Sequence, residues 1–79
     1  MTKEQRILLY KIAKLHSDEF YLRMEDHWSP AICRKMDEYS RDIDLAEKEY
    51  IETYGALPEW KGMEDVWATM EELERHLDD

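Results

Sequence analysis

Cysteine occurs once, at Cys33, so the chain has no intrachain disulfide, no Cys-x-x-Cys redox pair and no multi-cysteine zinc or iron–sulfur site. A reducing compartment is the simpler expectation. No apolar run approaches the roughly 18 residues of a membrane span, and the cluster Ile7-Leu8-Leu9-Tyr10 is too short for the core of a leader. A soluble, cytoplasmic protein is therefore expected. Glycine and proline occur only twice each, which leaves few places where a helix must break. Basic residues are also scarce, 11 against 20 acidic, for a formal net charge of −9. Direct nucleic-acid binding needs a concentrated positive footprint and is not expected from such a balance.

A length of 79 residues suits one domain spanning 1–79 and is too short for two. Its core must be small. The large side chains include three Trp, five Tyr, five Met and one Phe, so wide aromatic rings supply the burial, or an interface, that Leu and Ile supply elsewhere. The charge is uneven: residues 1–16 carry four basic and one acidic side chain, whereas residues 56–79 carry two basic and eight acidic. Such opposite ends favour pairing of the first and last helices, or else offer a basic and an acidic patch to partners.

The most legible element starts at Ser29-Pro30, where Ser29 can cap and Pro30 fits the first helical position. Ile32, Met36, Tyr39, Ile43, Ala46 and Tyr50 then recur at alternating spacings of four and three, and Gly55 closes the run. This predicts a helix over 30–54, the spine of the protein, with Glu38/Arg41 and Asp44/Lys48 as pairs on its wet face. Upstream, Thr2 and Gln5 fit a capping box, followed by a wide apolar stripe at Ile7, Leu8, Leu9, Ile12, Ala13 and Leu15. One unbroken helix over 3–27 is favoured over a break near Ser17, because no Gly or Pro intervenes. Trp28 is expected to staple back over the first turn of the second helix. Gly55 to Gly62 reads as a short ordered connection whose Leu57 and Trp60 plug the open end of a bundle. A third helix over 63–77 places Met63, Val66, Trp67, Met70, Leu73 and Leu77 on one stripe.

No constellation carries strong chemistry. His16/Glu19, Asp26/His27 and Glu72/His76 are local imidazole–carboxylate pairings, a weak pattern, and there is no Glu-x-x-His of the di-iron bundle type. The carboxylate pairs Glu38/Asp42 and Glu71/Asp78 are what 20 acidic residues produce by chance. Cys33 lies in a first helical turn near Arg34 and Lys35, but no triad partner accompanies it, and a core or half-buried thiol is expected. The chain thus predicts no catalytic residue, no metal site, no cofactor and no enzyme activity. The basic cluster Lys3, Arg6, Lys11 and Lys14 reads as a solvated face.

The predicted architecture is all-α: a small three-helix domain with a long antiparallel helical hairpin and a shorter C-terminal helix covering part of its apolar seam. If that cover is partial, the remaining seam drives dimerisation, giving a four-helix core flanked by two short helices. The expected function is a small acidic protein-binding or regulatory accessory module, with a protein partner and a possible homodimer. Partner-facing candidates are Tyr10, Tyr21, Trp60, Glu71, Glu72 and Glu74; core or dimer-seam candidates are Ile32, Met36, Tyr39, Ile43, Tyr50 and Trp67. One alternative is a nucleic-acid mimic, in which Asp42, Glu49, Glu71, Glu72, Glu74, Asp78 and Asp79 imitate phosphates and occupy a basic nucleic-acid-binding protein. Another is a self-associating structural protein. The length and composition resemble in general look small accessory proteins of bacteria or their viruses, a likeness that assigns no residue a role.

Overall fold

The computed structural model describes Met1–His76 and contains three helices, α1 (Lys3–Arg23), α2 (Pro30–Tyr54) and α3 (Met63–Glu74). No strand occurs among the described residues, and none of their helices is long and apolar enough to cross a membrane.

Local chemistry sets the helix ends. Thr2 caps α1, its Oγ1 accepting from the Gln5 amide at 3.1 Å. Gln5 makes its own side-chain bond elsewhere, Nε2 donating to Tyr50 Oη at 3.0 Å and tying the start of α1 to the end of α2. α1 ends at Arg23, four residues short of the predicted 27: the amides of Met24 and Glu25 turn to the carbonyls of Tyr21 and Leu22, tightening the last turn. Pro30 then holds Ser29 extended, at ψ 163°, and Ser29 caps α2 through the Ile32 amide. α2 occupies the predicted 30–54. α3 begins at the predicted Met63 and its helical residues end at Glu74; Leu77, Asp78 and Asp79 lie outside the described residues.

Gly55 ends α2 at φ +98°, ψ −138°, where its amide still reaches the Ile51 carbonyl. A Cβ at this position would touch nothing, so replacement costs backbone strain alone. Gly55→Ala is expected to destabilise the fold by about 1–3 kcal/mol, read from the urea midpoint at unchanged slope.

The topology departs from the sequence expectation in one respect. α1, not the longer α2, is the spine: α2 and α3 each pack on α1 and not on each other. Both run antiparallel to it, since Gln5 meets Tyr50, while Tyr10 meets Glu74 and Ser17 meets Trp67. The 55–62 connection must therefore travel back beside α1. Leu57 and Trp60 pack against the core cluster of Leu9, Ile12, Ala46, Tyr50 and Leu73, keeping α2 and α3 apart. Burial on two sides explains why the apolar stripe of α1 is wide.

The core occupies one end of the hairpin. Leu9, Ile12, Ala13, Ser17, Ile43, Ala46, Tyr50, Val66 and Leu73 are buried, whereas no residue from Asp18 to Asp42 is. That stretch nevertheless holds Phe20, Tyr21, Leu22, Met24, Trp28, Ile32, Met36 and Tyr39.

Candidate protein interface at the hairpin end

The position of α3 decides which apolar residues remain open. Near its beginning, Trp67 donates its Nε1–H to Ser17 Oγ at 3.0 Å, meets Phe20 edge-on and stacks on Tyr21 at 6.0 Å between ring centroids. At its end, Glu74 receives the Tyr10 hydroxyl at 2.7 Å. α3 thus covers α1 from about Tyr10 to Tyr21, and neither it nor the connection covers the hairpin beyond. At that limit Tyr21, though stacked on Trp67, is still 59% exposed, and past it Met24 is 64% and Trp28 56% exposed. Trp28, the residue expected to staple back over α2, thus leaves more than half of its surface open. Ile32, Met36 and Tyr39 project from α2 at helical spacing and are only half-buried.

Charge frames this apolar end. Asp18, Glu25 and Lys35 line a shallow cleft of about 340 Å³ together with Tyr21, Leu22 and Tyr39. Lys35 makes no ion pair with either acid among the described residues. Glu19 is already engaged by Arg23 at 2.8 Å.

The remaining sequence candidates divide by what they touch. Ile43 and Tyr50 are core residues, and Trp67 is half-buried between α1 and α3. Trp60 turns inward: its Nε1–H donates to Thr69 Oγ1 at 2.9 Å, and its ring meets His16 edge-on. Glu71 and Glu72 are exposed and pair along α3 with Arg75, at 3.1 and 3.9 Å, and Glu72 also lies 3.6 Å from His76. Tyr10 and Glu74 serve each other. That hydrogen bond, partial burial and the nearby carboxylates of Glu74 and Asp18 raise the Tyr10 phenol above its ordinary pKa of 10.0. Because the folded value is the higher one, the stabilisation is full below pH 10 and is lost as pH rises through the folded pKa. Ultraviolet titration should show a late phase of tyrosine ionisation that Tyr10→Phe diminishes.

A second cleft, about 390 Å³, opens where the connection separates α2 from α3 and is lined by His16, Glu47, Leu57, Pro58, Trp60, Gly62, Met63 and Val66. Sequence proximity suggested His16/Glu19; the structure instead sets His16 Nε2 3.5 Å from Glu47 Oε2, across 31 positions of sequence. Cys33 is exposed, not half-buried, because Ile32 and Met36 take the inner side of the first turns of α2. No three His, Cys, Asp or Glu side chains converge as a cation site among the described residues.

No protein-family model, curated protein or solved structure matches this chain. Three packed helices host many unrelated activities, so function has to be argued from the surface itself.

Proposed function

We propose that the chain is a small protein-binding accessory module whose working face is the hairpin end. One observation carries this reading: of eight large apolar side chains between Asp18 and Asp42, five are only half-buried and Tyr21, Met24 and Trp28 are more than half exposed, while α3 reaches only Phe20 and Tyr21 through Trp67. Exposed apolar patches rimmed by polar groups are the ordinary signature of protein contact, and Trp and Tyr are the side chains that anchor such contacts. The acidic rim formed by Asp18, Glu25 and Asp26 favours a counterpart with basic groups at matching positions.

Cys33 provides the test, being exposed and in the first turn of α2 beside this face. A photoreactive group attached there is expected to give defined protein adducts in a cell extract. The same group at Glu59→Cys, in a Cys33→Ser background, should give at most about a tenth of that yield, the contrast between an interface centre and a remote site. Equal adducts from both positions would sink the reading. Adducts to a basic nucleic-acid-binding protein, formed from Glu59→Cys and lost at about 0.5 M salt, would instead favour the mimic.

A further inference from the structure

We propose that the occupant of the hairpin end is a second copy of this chain, docked about a two-fold axis so that the uncovered ends of two α1–α2 hairpins close on each other. The inference rests on the reading of this end as a protein-binding face and names its partner.

Surface area is the first argument. The chain exposes 5792 Å², while a folded monomer of its 9.7 kDa mass exposes about 5,100 Å² by the usual scaling. The surplus of about 700 Å² is close to the roughly 800 Å² that each partner contributes to a stable interface. Part of it reflects the elongated 40 × 24 × 24 Å form, whose long axis is about the length of the 25-residue α2. Two copies joined at the hairpin end would give Met24, Ile32 and Met36 the second layer that α3 gives Leu9 and Ile12.

Charge supplies the second argument. In a two-fold interface, any contact from residue i to residue j is repeated from j to i. A face that is its own partner must therefore carry both signs. This one does: Asp18 on α1 and Glu25 in the turn that follows it stand beside Lys35 on α2, in one cleft and with no ion pair between Lys35 and either acid. Lys35 of one protomer then meets Glu25 of its partner, and the reverse pairing follows by symmetry. A foreign partner explains the acids; it gives no reason for a lysine that lines the same cleft without pairing with either. Helix pairing across the axis is of the kind that forms four-helix cores.

The test is sedimentation equilibrium of the full chain from about 1 to about 300 µM, a span suited to an interface of this size. The apparent mass should climb from 9.7 kDa toward twice that value. Met24→Ser/Trp28→Ser alters two exposed side chains, so helical circular dichroism should be unchanged while the dissociation constant rises at least about tenfold. Lys35→Glu should weaken association, and adding Glu25→Lys should restore it. A wild-type protein monomeric throughout the range overturns the second copy as occupant, yet leaves the binding-face reading to the Cys33 adducts. A dimer unaffected by Met24→Ser/Trp28→Ser overturns this docking mode. Rescue failing in the charge-swapped pair would contradict the two-fold arrangement.

Discussion

Ile12→Ala is expected to cost about 2–5 kcal/mol, against a total stability of about 4–12 kcal/mol for a chain of this length. Ile12 is fully buried and belongs to the cluster drawn from all three helices, with Leu9, Ala46, Tyr50 and Leu73 around it. Shifting one helix to fill the gap would pull it off its other neighbours, so relaxation is limited and much of the cavity persists. A thermal midpoint lower by about 10 °C or more should follow, at about 4–8 °C per kcal/mol. The informative comparison is Ile32→Ala. Ile32 has the same side chain, in a helix, on the inner side of the hairpin, but it is only half-buried where no third layer exists. In dilute monomer its loss should cost under about 1.5 kcal/mol. Equal costs at the two positions would mean that the hairpin end is as well packed as the core, and the interface reading would fail with that result.

Trp67→Ala is expected to cost about 3–5 kcal/mol and to loosen α3 specifically. One indole supplies the edge-on contact with Phe20, the stacking on Tyr21 and the hydrogen bond to the buried Ser17 hydroxyl. Amide exchange should therefore accelerate most across α3, while the α1–α2 pairing near Gln5 and Tyr50 stays protected. Trp67→Phe separates packing from hydrogen bonding, since it keeps a ring and removes the donor. Leaving Ser17 without that partner should cost about 1–3 kcal/mol. The Trp67→Phe/Ser17→Ala pair should recover part of this, a non-additivity that a double-mutant cycle detects. Strict additivity would show that the bond contributes nothing.

Much of the architecture was legible because the signals for it are local. Ser29-Pro30 and Gly55 state both ends of α2 through backbone chemistry that needs no tertiary context, and the start of α3 follows the last glycine. The end of α1 was less legible, since Phe20, Leu22, Met24 and Trp28 keep a helical period past Arg23 and only the Met24 and Glu25 amides reveal the tightened turn. The central role of α1 is present in its wide apolar stripe, which signals burial on two sides, but the greater length of α2 makes α2 the expected spine. Side-chain partners across helices were the least legible. His16 meets Glu47 from 31 positions away, and Trp60 is turned inward by Thr69 on another element; neither pairing has a signature in sequence spacing. The hairpin end was legible in part: a short third helix leaving some seam uncovered, with Ile32, Met36 and Tyr39 on that seam and Tyr21 facing outward, follows from the sequence, but only the reach of α3 shows which part lacks a cover.

Site-resolved oxidation of the unmodified protein, read by mass spectrometry at about 1 and about 300 µM, tests the central claim most directly. Met1 and Met24 are matched probes, 66% and 64% exposed, and they lie at opposite ends of α1. In dilute solution both should oxidise quickly, ahead of the half-buried Met63 and Met70. At high concentration Met24 and Trp28 should be protected severalfold while Met1 keeps its dilute rate, as a closing hairpin end requires. Met24 and Trp28 oxidising as fast as Met1 at both concentrations would contradict the account.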